Sequence, residues 1–185
     1  MFEVRFHGRA GQGAKLAAQF LAEAAMLEGK RIQAFPEYGP ERSGAPVASY
    51  VRIDNKEIRA HYPVVSPEAI LILDPSLLDV VNVNLGAKKD TIVIINTTKT
   101  AIELKRKYKL NGDIYTLDAS KIALETIGIN KPNTIMIAFL IKLSGIIKLD
   151  SFKKVVCKIF ISKNKQDLVK PNLAIIESGY KYKID

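Results

Sequence analysis

Residues 7–15 read His-Gly-Arg-Ala-Gly-Gln-Gly-Ala-Lys, and a run of this kind can bind an anion. Glycines keep side chains out of the way, so several backbone N–H groups reach one ligand at the positive end of a following helix. A phosphate-bearing ligand or cofactor is the first chemistry this suggests, with Gly8, Arg9, Gly11, Gln12, Gly13, Ala14 and Lys15 as candidate contacts. Two familiar versions are disfavoured. A P-loop needs Lys and then Ser or Thr after its second glycine, whereas Ala14-Lys15-Leu16 places lysine one position late and gives magnesium no hydroxyl. Gly8, Gly11 and Gly13 do not follow the Gly-x-Gly-x-x-Gly order, and Arg31-Ile32-Gln33-Ala34-Phe35 ends without an acid for a ribose hydroxyl. A tight strand-to-helix turn that binds nothing also fits these residues.

A second segment carries polar and aromatic chemistry. Residues 35–46 read Phe-Pro-Glu-Tyr-Gly-Pro-Glu-Arg-Ser-Gly-Ala-Pro. Three prolines fix backbone angles and two glycines permit turns, so the loop is stiff and poor material for a core. It is either a surface loop made rigid by proline or a docking or active-site edge, with Phe35, Pro36, Glu37, Tyr38, Gly39, Glu41 and Arg42 as candidates. Other constellations are scarce. His7 and His61 lack metal-ligand spacing, and Gly-x-Ser-x-Gly does not occur. His7 sits beside the glycine loop, and His61 reads as a surface residue at a strand end. Asp74 and Asn96 end consecutive buried strands, where each caps the next helix or faces a ligand crevice.

The elements that position these residues follow from periodicity. Phe2, Val4 and Phe6 alternate with Glu3, Arg5 and His7, the pattern of a half-buried strand. Leu16, Ala17, Phe20, Leu21, Ala24 and Leu27 form a helical face that stops at Gly29. Strands are expected at 31–35, 46–53, 70–73, 91–95 and 113–117, with a short strand at 57–62 as an antiparallel excursion. Helices are expected at 76–81, 100–109, 119–127, 134–147 and 151–161, and, after Pro171, at 172–180. Alternation of this kind predicts a three-layer α/β/α fold in one domain, 1–185, around a mostly parallel mixed sheet.

Composition narrows the class. The 185 residues are 48% hydrophobic, enough for one core, and a single cysteine, Cys157, excludes an internal disulfide or a four-cysteine cluster. Cys157 is expected to be a small apolar residue, buried or half-buried, in a helical run. The longest apolar run, 135–141, is too short to span a bilayer, which points to a soluble, cytoplasmic protein. The net charge of +9 lies wholly in the second half: residues 1–98 hold 11 basic and 11 acidic residues, and residues 99–185 hold 17 and 8. Only Arg106 among those 17 is not lysine, so nucleic acid is a poorer match than a solvated face or a surface for acidic proteins.

Taken together, the two loops resemble the gamma subunit of the 2-oxoacid:ferredoxin oxidoreductases, most of all the pyruvate (pyruvate synthase) branch. That family's His-Gly-Arg-Gly-Gly-Gln-Gly-Ala loop is matched at residues 7–14 except at Ala10. Its Phe-Pro-Glu-Tyr-Gly-x-Glu-Arg-x-Gly-Ala-Pro motif is matched at residues 35–46. Arg52-Ile53 and Pro132-Asn133-Thr134 match further on. The resemblance is close over residues 2–62 and looser, though collinear, to about residue 160. It implies a complex that converts a 2-oxoacid and coenzyme A to an acyl-CoA, carbon dioxide and reduced ferredoxin. Thiamine diphosphate with Mg2+ and iron–sulfur clusters then sit in alpha, beta and ferredoxin-like delta subunits, and ferredoxin is met through the complex. This chain would contribute no catalytic residue and no metal ligand. Its implied part is to complete the assembly and help hold coenzyme A on residues 8–15. The alternatives are the gamma subunit of a branched-chain or other 2-oxoacid:ferredoxin oxidoreductase, a free-standing enzyme binding a phosphorylated metabolite, and a phosphate-ligand or nucleic-acid binding module.

Overall fold

The protein is described by a computed structural model covering residues 1–37 and 44–184. In chain order the elements are β1 (Phe2–Arg9), α1 (Ala14–Leu27), β2 (Arg31–Pro36), β3 (Pro46–Asp54) and β4 (Ala69–Ile72). A 3-10 turn (Pro75–Asp79) precedes β5 (Ile92–Asn96), α2 (Ala101–Tyr108), β6 (Asp113–Leu117) and α3 (Ala119–Ile127). The chain continues through α4 (Asn133–Ser144), α5 (Leu149–Ser162) and α6 (Val169–Lys181). One mixed sheet has the order β2-β3-β1-β4-β5-β6. β1, β4, β5 and β6 are parallel, and β3 is antiparallel to both β1 and β2.

The two faces of this sheet are covered differently. On one face Val4, Phe6, Val51, Leu71 and Ile94 pack against α1 and α4, and α5 and α6 lie outside these. Enclosure on all sides explains the apolar run at 135–141: every residue in it is at most 2% exposed, so α4 has no polar face to show. The other face is thinner. Over β4 and β5 a second core of Ile70, Ile72, Val93 and Ile95 meets Leu77 and Leu104 from the 3-10 turn and α2. Among the described residues no helix is long and apolar enough to cross a membrane.

Several expectations need correction. The antiparallel element is β3, whose hairpin-like place between β2 and β1 supplies both antiparallel pairings. Residues 57–62 form no strand; they run as an irregular strap held through main-chain carbonyls, Gln33 Nε2 donating to Ala60 O (2.9 Å) and Arg52 to Tyr62 O (2.6 Å). The expected helix at 76–81 is the 3-10 turn Pro75–Asp79, started by Pro75 and capped by Asp74. Pro171 does not delay α6, because it lies in the first turn, where its missing N–H has no helical acceptor to lose. β1 is not half-buried. Glu3, Arg5 and His7 are 9%, 5% and 7% exposed, so its polar face is covered as well.

That polar face is a layer of engaged charges. Arg52, wholly buried, donates to Glu3 Oε1 (2.6 Å), Gln33 Oε1 (2.7 Å) and Tyr62 O, and lies between the rings of Phe35 and Tyr62. Arg5 donates to the carbonyls of Val64 (3.4 Å), Val83 (3.1 Å) and Leu85 (2.5 Å). Irregular segments leave carbonyls without ladder partners, and here two guanidinium forks satisfy them. The arginines fasten straps where the other face uses helices.

Candidate functional site

At the end of β1 the chain turns through Ala10, Gly11, Gln12 and Gly13 into α1. Gly13 is the N-cap, at φ 84° and ψ 24°, a left-handed conformation that leaves the helix start without a side-chain cap. Its carbonyl accepts from Ala17 N–H (2.8 Å), the first bond of the helix. Among the described residues, the N–H groups of Gly11, Gly13, Ala14 and Lys15 find no acceptor. A Cβ on Gly11, whose φ is +95°, would meet nothing within 4 Å, so this side of the loop is open. Free amides at a helix N-terminus favour an anion.

Side chains in the loop are engaged in holding it. Gln12 Oε1 accepts from Arg9 N–H (2.7 Å), and its Nε2 donates to Asp74 Oδ2 (2.7 Å). Arg9 donates to Ser76 Oγ (2.7 and 3.1 Å) and to Gly44 O (3.0 Å), with Asp74 Oδ2 at 3.3 Å. Asp74 also accepts from Ser76 N–H (3.0 Å) and Ser76 Oγ (2.6 Å). Burial opposes charge on Asp74, but the bonds from Ser76 and Gln12, with the Arg9 guanidinium, outweigh it and lower its pKa. Gly8 and Ala14 lie beneath the loop: a Cβ on Gly8 would stand 3.3 Å from Ala14 Cβ, and Ala14 is 2% exposed. Of the seven candidates, Gly11 and Lys15 are exposed, Arg9, Gln12 and Gly13 are half-buried, and Gly8 and Ala14 are buried.

The site has one further member that composition and spacing did not single out. A Cβ on Gly13 would lie 2.8 Å from Asn133 Nδ2, so the first turn of α4 stands against the loop. Asn133 is 5% exposed, and its Oδ1 accepts from Thr134 N–H (3.0 Å). Two helix N-termini therefore meet at Gly13, and their dipoles add. The only sequence signal was Pro132-Asn133-Thr134 ahead of an apolar run.

Lys15 also lines a groove of about 260 Å³ between α1 and β2, whose far wall includes Phe35 and Pro36. This brings the glycine loop and the start of the 35–46 loop onto one groove. Phe35 packs on Tyr50 (5.2 Å between ring centroids), and Glu37 accepts from the Tyr50 hydroxyl and donates its own N–H to Ala48 O (2.9 Å). Burial, then the hydrogen bond to Glu37 and its charge, push the Tyr50 pKa up to about 12. Tyr38, Gly39, Glu41 and Arg42 lie outside the described residues.

The remaining candidates are structural. His7 is buried, its Nε2 meets no partner among the described residues, and burial with the nearby Arg5 charge lowers its pKa to about 3, so it is neutral at pH 7. His61 is exposed, as expected. Asp74 caps the 3-10 turn, whereas α2 is capped by Thr100. Asn96 instead joins Leu73 O (2.8 Å) to Ser120 (2.8 and 3.0 Å), tying the ends of β4 and β5 to α3. Cys157 is half-buried. Among the described residues no three His, Cys, Asp or Glu side chains are grouped to hold a metal.

Known proteins resemble this chain in sequence and in fold. The sequence model for pyruvate ferredoxin/flavodoxin oxidoreductase matches residues 3–182. The "Pyruvate/ketoisovalerate oxidoreductases common subunit gamma" of Pyrococcus furiosus is 48% identical over 157 residues, covering 84% of this chain and 85% of that one. The "Pyruvate synthase subunit PorC" of Thermotoga maritima is 42% identical over 179 residues, covering 97% and 93%. A crystal structure of the pyruvate oxidoreductase subunit PORC from Thermotoga maritima superposes with a TM-score of 0.87 at 38% identity, covering 100% of this chain and 97% of that one. With residues 3–182 matched and relatives well above 30% identical over most of its length, the chain belongs to the pyruvate ferredoxin/flavodoxin oxidoreductase family.

Proposed function

We propose that this chain is the gamma subunit of a pyruvate:ferredoxin oxidoreductase, acting in the cytoplasm as one gamma-type domain. The reaction takes pyruvate, coenzyme A and two oxidised ferredoxins to acetyl-CoA, carbon dioxide, a proton and two reduced ferredoxins. Thiamine diphosphate, Mg2+ and iron–sulfur clusters belong to the alpha, beta and delta subunits and supply the decarboxylation and electron transfer. This chain completes the assembly and binds part of coenzyme A.

The observation that carries the proposal is the set of N–H groups at Gly11, Gly13, Ala14 and Lys15 that find no acceptor among the described residues, beside the open face at Gly11, where α1 and α4 both begin. The coenzyme A diphosphate suits it, since anionic oxygens accept from such amides without needing a side chain. Lys15 adds a cation, while Arg9, Gln12 and Asp74 hold the loop in shape. The 35–46 loop, anchored by Phe35, Pro36 and Glu37, serves as a partner edge, with Tyr38 and Arg42 as contacts. A gamma subunit serving both pyruvate and a branched-chain 2-oxoacid enzyme is the second reading, favoured by the Pyrococcus relative's designation as a common subunit.

Reconstitution tests this. The isolated chain should be colourless, free of thiamine and inactive with pyruvate. Adding the partner subunits should restore electron transfer that depends on pyruvate and coenzyme A. Turnover by the isolated chain would contradict the proposal.

A further inference from the structure

The outermost layer of the molecule, α5 and α6, carries an apolar depression of about 660 Å³. Cys157, Ile161 and Leu173 line it, and Lys153, Lys154 and Lys158 stand around it. Ile161 is 50% exposed. Residues 149–181 contain seven lysines against Asp150, Asp167 and Glu177. Glu177 is already shared by Lys153 and Lys181. Lys154 and Lys158 are exposed, one helical turn apart, and meet no carboxylate among the described residues. Like charges at this spacing destabilise a helix; Asp150, one turn before Lys154, offsets part of that repulsion, and Lys158 has no such neighbour one turn away.

We infer that this depression is a docking surface for an acidic amphipathic helix from a partner subunit of the oxidoreductase complex. The inference rests on the proposed gamma-subunit role. Charge selects the partner: carboxylates flanking an apolar stripe would neutralise Lys154 and Lys158 while apolar side chains cover Ile161 and Leu173. Geometry selects a helix. The walls are helices whose backbone groups are satisfied internally, so an added strand would leave its own N–H and C=O groups unpaired. A second copy of this chain fits poorly, because it would set lysine against lysine.

Cys157 is the only cysteine in the chain, so it reports on this surface alone. The complex is assembled from its subunits, and iodoacetamide labelling of the Cys157 peptide is followed by mass spectrometry before and after assembly. In parallel, the dissociation constant of assembly is measured for Lys154→Glu/Lys158→Glu and for Lys154→Arg/Lys158→Arg. Labelling should slow at least tenfold in the complex. The glutamate pair should weaken assembly at least tenfold, and the arginine pair should leave it near wild type. A complex that forms with Cys157 labelled at its free rate, or that tolerates the glutamate pair, overturns this inference and leaves the gamma-subunit role standing. Failure of the wild-type chain to assemble with those subunits overturns both.

Discussion

Two polar regions adjoin along β1, and they differ in what their hydrogen-bonding groups are doing. The layer beneath the straps holds Glu3, Arg5, Tyr50 and Arg52, the residue types that look most chemical, and it is turned inward: its guanidinium groups grip the chain's own carbonyls. The glycine loop a few residues on offers little side-chain chemistry, yet its amides at 11 and 13–15 are left without acceptors among the described residues. Buried polar groups turned onto the chain's own carbonyls and carboxylates are structure, even where one atom, Arg5 Nε, finds no partner among the described residues. Polar groups left over at an open surface, held rigid by their neighbours, are where a ligand gains something. The contrast separates support from site more sharply than residue type does.

The largest effect should come from the support. Arg52→Met removes the guanidinium and leaves Glu3 buried with no ionic partner, so stability should fall by about 3–5 kcal/mol. Arg52→Lys should recover only part, since an ammonium does not reproduce the planar fork or its stacking on Phe35 and Tyr62. Urea unfolding of the isolated chain measures both. A loss below 1 kcal/mol for Arg52→Met would place the clamp's strength elsewhere.

His7 gives a smaller and pH-dependent effect. Its folded pKa is near 3, well below the ordinary histidine value, so the unfolded chain binds a proton that the folded chain refuses. The stability from neutral His7 is complete above pH 6.5 and declines as pH falls from there towards 3, by at most about 1.4 kcal/mol per pH unit. His7→Gln should flatten this decline between pH 6.5 and 5, before most carboxylates titrate. Parallel curves for the two proteins would show that His7 is not buried as described.

The smallest effect should come from Lys15. Lys15→Ala should raise the Michaelis constant for coenzyme A in the assembled enzyme about two- to threefold, because an exposed cation is screened and worth about 0.5 kcal/mol. The exposed and distant Lys89→Ala should change nothing.

Much of the fold was legible because periodicity reports burial. β6 and α3 fall where alternation and capping place them, and the apolar run at 135–141 announced a helix enclosed on every side. What misled was polarity under cover. The alternation Glu3, Arg5, His7 reads as a solvent face, since no local signal shows that straps from residues 60–85 will fold over it. Residues 57–62 alternate like a strand, yet β2 takes only one neighbour, β3, and the strap is held by side chains instead. In the site, the loop was visible from its glycines. Asn133 was not visible as a neighbour of Gly13, because 120 positions of chain separate them and only tertiary packing joins them. That contact also changes the useful experiment. Substituting Gly13 strains a left-handed backbone and strikes Asn133, so it would disturb the loop as well as the ligand.

Gly11 avoids that ambiguity, since a Cβ there meets nothing within 4 Å. Asn and Asp are the side chains that best tolerate a positive φ, so Gly11→Asn and Gly11→Asp carry a similar backbone strain and differ in charge. The decisive measurement is the Michaelis constant for coenzyme A, beside that for pyruvate, in complexes assembled with each variant. If the amides of residues 11 and 13–15 hold the coenzyme A diphosphate, Gly11→Asp should raise the coenzyme A constant about tenfold over Gly11→Asn, roughly 1.4 kcal/mol, and leave the pyruvate constant equal in both. Equal coenzyme A constants in the two complexes would contradict the account and reduce the loop to a tight turn.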